Sequence, residues 1–291
     1  MAAATTFPTN TPPQTSDHPE IEDTLIANVY YLKPDPLYDE EKPYSLASHP
    51  PPGIKKTNIV NSPTPTIVRN ARGFEKNFFL YTHGFEWLDH DLKLDPGFGA
   101  DEGQLDEYMN EMDVIPYILR QVNKKAKIRW QRTPSEERPD GASKKVKRHI
   151  LGAHLDISKE SAKMRIRLKC GEEAETLLKR RWHIVNVWRP LQEPVVSMPL
   201  ALCDSRSLDD DDLVASDIIY PHLELEASEL WYNSNQRWYY LKGQMMNEVL
   251  LIMNVDSGSS TRCPHTAFED PTIAVDAPRR RSIELRCMVF L

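Results

Sequence analysis

Residues 152–158 read "GAHLDIS". His154 and Asp156 stand two apart in what reads as a short strand, so their side chains share one face. If that face met solvent, the pair would be two more polar groups in water. If it lines the interior of a barrel, both groups need partners there. The rest of the chain decides between these alternatives.

Downstream of residue 180 the chain is rich in short strand candidates: 182–191, 197–204, 236–241, 247–255, 263–268 and 280–291. Pro, Asp, Ser and Gly fill the connections. Many short strands without regularly alternating helices point to an antiparallel sandwich or jelly roll, not to a doubly wound sheet. Upstream, "TLIANVYYL" (24–32) reads as a first strand, and the Pro-rich run from 34 to 66 as an irregular surface wrap. "NFFLYTHGFEWL" (77–88) reads as strand broken at Gly84. Helical spacing predicts a helix over 101–126, kinked at Pro116. A second helix falls within 158–180, with Ser158 as N-cap. "YPHLELEASELWY" (220–232) reads as entry into a helix. The expected fold is mainly β with flanking helices, a distorted double-stranded β-helix.

The first 22 residues are Pro- and Thr-rich and read as a disordered tail, leaving 23–291 as a single domain. The beginning lacks the basic and apolar regions of a secretory signal. No run approaches the ~20 apolar residues of a membrane helix. The formal net charge of −7 gives no basic excess for nucleic acid. The four cysteines show no CxxC pairing and read as reduced thiols in a cytoplasmic protein.

An oxygenase-type iron site takes two histidines and one carboxylate on one face of the ion. His154 and Asp156 supply two ligands, and His265 in "CPHTAFEDP" is the best third. Two H-x-E pairs compete. His18 and Glu20 fall in the tail, and His222 and Glu224 have no matching downstream set. Alone, H-x-D is a short pattern, and a His–Asp hydrogen bond is its commoner meaning. The C-terminal strand strengthens it. Arg280, Ser282, Glu284 and Arg286 share one face, while Ile283, Leu285, Cys287 and Val289 form an apolar one. A buried arginine needs a partner, and a dicarboxylate fits its fork, with Ser282 adding a hydroxyl. The competing reading pairs Glu284 with Arg286 or Arg280. The runs "DDDD" (209–212) and "KKVKR" (144–148) read as solvated loops.

The order H-x-D, distal His, R-x-S resembles the Fe(II)/2-oxoglutarate-dependent oxygenases. More closely, "AHLDIS", "RRWHIVNVWRPL", "PLALCD", "QRWYYLKGQMMNEVLLIMNVDS", "PHTAFEDP" and "RRRSIELRCMVF" resemble a fungal and bacterial group that includes gibberellin desaturase and the cephamycin 7-alpha-hydroxylase component. Ile157, Asn247 and Met253 depart from that group's usual residues. The resemblance implies Fe(II) held by His154, Asp156 and His265, and 2-oxoglutarate with its far carboxylate on Arg280 and Ser282. It implies molecular oxygen as co-reactant, with succinate and carbon dioxide released as an unactivated C–H bond is oxidised. Hydroxylation, desaturation and oxidative ring closure, including aziridine formation on an amino acid, all remain open outcomes. Asn186 faces the cosubstrate in this reading, and Trp188 and Arg189 are candidate substrate contacts. Arg189 as a structural ion pair is the competing view. The aromatics Trp231, Tyr232, Trp238, Tyr239 and Tyr240 read as core or as a homodimer surface. A non-catalytic jelly-roll scaffold is the competing function.

Overall fold

The computed structural model describes residues 20–48, 50, 52–90, 127–131, 149–274, 276–278 and 280–291, with 127–131 as backbone only. The predicted helix at 101–126, the run 144–148, Arg279 and most of the N-terminal tail lie outside the described residues.

The strands in chain order are β1 (Thr24–Leu32), β2 (Tyr44–Leu46), β3 (Asn61–Asn70), β4 (Phe85–Asp89), β5 (Lys127–Gln131), β6 (His154–Leu155) and β7 (Trp182–Pro190). They continue as β8 (Leu200–Cys203), β9 (Leu213–Tyr220), β10 (Leu223–Leu230), β11 (Trp238–Tyr240), β12 (Glu248–Asp256), β13 (His265–Ala267) and β14 (Ser282–Phe290). Helical turns α1 (Leu37–Glu40) and α2 (Leu80–His83) precede the longer α3 (Lys159–Cys170) and the short α4 (Ala174–Leu178). No helix among the described residues is long and apolar enough to cross a membrane.

The strands form a large sheet in the order β1-β3-β11-β8-β13-β6-β10-β9-β2 and a small one in the order β4-β12-β7-β14-β5. This is the expected jelly roll. The two sheets pack face to face. Trp188, Leu250 and Ile252 of the small sheet meet Leu202 and Tyr239 of the large one in a single apolar cluster with Phe85. The opposite face of the small sheet carries Val185, Val187, Val249, Leu251, Leu285 and Val289. Both faces of β7 and β12 are therefore buried, which is why their sequences are near-continuous apolar runs. The few polar residues on the inner face, Asn186, Glu284 and Arg286, stand between the sheets, where polar groups need partners.

Ser158 caps α3 as expected, its hydroxyl accepting from the Ser161 backbone N–H at 3.2 Å. Ala162, Ile166, Cys170 and Leu177 bury one helical face against Trp182, Ile184, Met288 and Phe290. Ser158→Ala is expected to cost about 1 kcal/mol, the usual worth of an N-cap, read as a lowered urea midpoint with no change in metal binding.

Three local expectations are corrected. Residues 61–66, read as irregular, form the first part of β3 despite Pro63 and Pro65. Those prolines pair with Tyr30 and Asn28 of β1, while β11 pairs only with residues 68–70 of β3. Each missing N–H therefore falls where β3 is an edge. Residues 220–230, read as helix entry, belong to the β9–β10 hairpin. Leu, Glu and Ala favour helices, but the strict alternation of Leu223, Leu225 and Ala227 with polar residues fits a pleated strand, and sheet pairing overrides the propensity. Residues 80–83 are a helical turn, not strand. Gly84 ends it at φ 84°, where a Cβ would meet the Arg262 carbonyl oxygen at 2.8 Å.

Candidate metal centre

β6 is only two residues long and lies between β10 and β13. It places His154 directly opposite His265 of β13. Asp156 lies in the bend immediately after β6. His154 and His265, 111 positions apart in the chain, thus become neighbours in register, and the ligand atoms of His154, Asp156 and His265 all lie within 4.8 Å of one another. His154 Nε2 is 3.6 Å from Asp156 Oδ1, and His265 Nε2 is 3.6 Å from Asp156 Oδ2. Such separations suit donors that each reach a common ion at roughly 2 Å.

The backbone orients both rings. His154 Nδ1 donates to the Gly152 carbonyl at 2.8 Å, and His265 Nδ1 to the Cys263 carbonyl at 3.1 Å. Each histidine thus uses the carbonyl two residues before it. A proton held at Nδ1 leaves the Nε2 lone pair aimed at Asp156, the arrangement of metal-bound histidines. A Cβ at Gly152 would lie 2.4 Å from Asn61 Nδ2, so the Asn61 side-chain amide would have to move aside.

The electrostatics separate the two imidazoles. Burial opposes protonation of His154, but the hydrogen bond and charge of Asp156, with the charge of Glu229, raise it to about 9. Burial pulls His265 down to about 4, and Asp156 does not offset it, because His154 and Arg286 add opposing charge. Burial would raise Asp156, but Arg286 and the two histidines hold it well below the usual carboxylate range. A divalent cation among the three would favour both neutral imidazoles.

The inner face of β7 and β14 brings a second set. Arg286 is 2.9 Å from Asp156 Oδ2 and 4.0 Å from Glu284, so the Arg286–Glu284 pair of the competing reading is the lesser contact. Asn186 donates from Nδ2 to Asp156 Oδ2 at 2.5 Å and accepts from Arg286 Nε at 3.0 Å. Its amide, expected on the cosubstrate, is engaged at the carboxylate. Arg280, 7% exposed, lies with its guanidinium 5.0 Å from the Trp188 ring centroid and donates to the Ser282 hydroxyl at 3.1 Å. Its Nε is buried with no hydrogen-bond partner. Burial lowers Arg280 to about 10, so it remains a cation at neutral pH. A buried cation with an unsatisfied N–H fits a carboxylate ligand.

Trp188 is thus on the site side, but under Arg280. Arg189 is not brought to the site. It stands on the opposite face of β7, where its guanidinium contacts the His90 ring at 3.1 Å and the His90 carbonyl at 3.2 Å. That placement removes the ground for a substrate contact and favours the structural reading. Arg286 stands on the barrel-facing side of its strand as expected, but its partner is Asp156 across the barrel, which strand alternation alone does not indicate. Glu229, paired with His154 in the β10–β6 register, was hidden by reading β10 as helical; the alternation of "LELEASEL" was the available signal.

A family model described as an oxidoreductase/YMDC permease-like domain matches residues 29–290. The Fe(II)/2-oxoglutarate-dependent dioxygenase nvfI of Aspergillus novofumigatus is 31% identical over 271 residues, which cover 91% of this chain and 96% of the relative. The hydroxylase/desaturase CTB9 of Cercospora beticola is 32% identical over 252 residues, 77% of this chain and 75% of the relative. A solved structure of a variant of the iron and alpha-ketoglutarate-dependent endoperoxidase NvfI superposes with a TM-score of 0.77 at 27% identity, covering 92% of this chain and 97% of the other.

Proposed function

The chain belongs to the family of Fe(II)/2-oxoglutarate-dependent dioxygenases and hydroxylase/desaturases, and on that premise we propose that it oxidises a C–H bond of a small natural-product intermediate, with its own residues in the following roles. His154, Asp156 and His265 hold Fe(II). Arg280 and Ser282 hold the far carboxylate of 2-oxoglutarate. The single observation that carries this reading is the convergence of two Nε2 atoms on one carboxylate, each ring oriented by a carbonyl at Nδ1. The unsatisfied Nε of Arg280 supports the second part.

When bound, the iron and 2-oxoglutarate supply the oxidising power from molecular oxygen. The chain supplies position. Two imidazoles and one carboxylate would hold the ion and would leave positions on it for cosubstrate and oxygen. Arg280, fixed against Trp188 and Ser282, sets the direction and length available to a dicarboxylate. The apolar walls made by Trp188, Leu250 and Ile252 exclude water from the space between the sheets, which strengthens each of these charged contacts.

The substrate class follows from the family, whose members include the hydroxylase/desaturases. The outcome is hydroxylation, desaturation or oxidative ring closure. Partners in this reading are the small substrate and oxygen. The four cysteines are free and buried, which supports a reducing, cytoplasmic setting. Trp231 and Tyr232 are 38% and 50% exposed, and they are the face we assign to a homodimer.

The test is 2-oxoglutarate consumption by the purified chain without substrate. Slow succinate release is expected that requires both Fe(II) and oxygen. Absence of succinate together with absence of Fe(II) binding would overturn the reading in favour of a non-catalytic scaffold.

A further inference from the structure

We propose that Asn186 and Arg286 act as one clamp on Oδ2 of Asp156 and so reserve Oδ1 for the metal ion. The inference rests on the reading of His154, Asp156 and His265 as the ligand set.

It starts from a closed triangle of contacts. Asn186 Nδ2 donates to Asp156 Oδ2 at 2.5 Å, the Arg286 guanidinium stands 2.9 Å from the same oxygen, and Arg286 Nε donates to Asn186 Oδ1 at 3.0 Å. Each of the three side chains holds the other two. The sheet builds the triangle, because β7 and β14 place Asn186 and Arg286 directly opposite each other. Both are buried, at 0% and 6% exposure, so water does not compete for these contacts. The orientation of the Asn186 amide is forced by chemistry. A carboxylate only accepts and a guanidinium only donates, so Nδ2 must face Asp156 and Oδ1 must face Arg286.

An ionised carboxylate offers two oxygens, and a free one can bind an ion through either or both. Here Oδ2 takes two donors and also stands 3.6 Å from His265 Nε2, while Oδ1 stands 3.6 Å from His154 Nε2 and carries neither donor of the clamp. Asp156 therefore keeps one oxygen, Oδ1, clear of the clamp's donors. A single-oxygen carboxylate leaves a coordination position that a two-oxygen one would fill, and a site that must also take a cosubstrate and oxygen needs that position. Asn186 and Arg286 are positioning residues, since they act through Asp156. Glu284 lies beside the triangle, with Arg286 at 4.0 Å, and accepts the lesser share of its charge.

The test uses two substitutions that leave net charge unchanged, Asn186→Ala and Arg286→Lys, so that geometry alone is read. The full-length chain is titrated with Co(II), followed by its visible absorption. Each variant is expected to weaken Co(II) binding about 10-fold or more, within the ~10–100-fold range of changes to groups that orient metal ligands. The absorption envelope of the bound ion is also expected to change, because Asp156 becomes free to bind through both oxygens. The double variant is expected to lose less than the product of the two single losses, since the residues work as a unit. His154→Ala is run alongside. If His154→Ala loses Co(II) while both clamp variants bind it as the parent does with the same spectrum, the clamp is overturned and the ligand set stands. If all three bind normally, the ligand set falls as well. Should Arg286→Lys fail to fold, Asn186→Ala decides alone.

Discussion

Asp156→Ala is expected to abolish 2-oxoglutarate turnover and to weaken Co(II) or Fe(II) binding by more than about 100-fold, beyond the range of outer contacts. Asp156 is the sole carboxylate of the triad and the point on which both Nε2 atoms converge at 3.6 Å. Its removal also leaves Arg286, 6% exposed, without its nearest counter-charge. Breaking a buried pair by deleting one partner costs about 3–5 kcal/mol, so the alanine variant is expected to be less stable as well as inactive. Asp156→Asn separates the two effects. It keeps the shape and an acceptor oxygen for Asn186 and Arg286, but not the charge. Its metal binding is expected to fall nearly as far while its melting temperature falls less. Parent-like turnover in either variant would remove Asp156 from the ligand set. Iron content after anaerobic loading and thermal melting are the two measurements.

Arg280→Ala is expected to raise the KM for 2-oxoglutarate more than tenfold. A hydrogen bond to a charged group contributes about 1.5–3 kcal/mol, which corresponds to roughly 10–150-fold. Three arginines adjoin at 279–281, and strand alternation allows one of them to share the side of Ser282. Arg280 has that place: it is buried over Trp188 and bonded to Ser282, while Arg281 is exposed. Arg281→Ala is expected to change KM little. Ser282→Ala is expected to have a smaller effect of the same kind as Arg280→Ala, because a neutral hydroxyl contributes less than a guanidinium. Anaerobic calorimetry of 2-oxoglutarate binding to the Mn(II)-loaded chain checks the same ranking without turnover. Sensitivity at Arg281 in place of Arg280 would shift the R-x-S reading by one position.

Much of this was legible in residue order. The H-x-D spacing puts two ligands on one face by strand geometry alone, and the alternation in "RSIELRCMVF" separates its polar and apolar faces before any partner is known. The long buried strands β7, β12 and β14 declare themselves because burial on both faces demands apolar runs. Ser158 declares the start of α3 because a cap is a local hydrogen bond. What failed locally failed for non-local reasons. β3 holds two prolines that are tolerated only because β11 stops short of them, and β10 is strand only because β6 and β9 flank it.

The tertiary structure alone decided the partners. His154 and His265 are distant in sequence and become opposite residues when β6 pairs with β13. Arg286 could be paired with Glu284 from strand alternation, yet packing the small sheet on the large one brings Asp156 to 2.9 Å from it. Arg189 and Trp188 are adjacent in the chain and go to opposite sides of one sheet. The physical reason is common to all of these. A strand's own sequence sets which side chains share a face, but which face meets which depends on pairing and on sheet packing, and these are set by the burial of the whole chain.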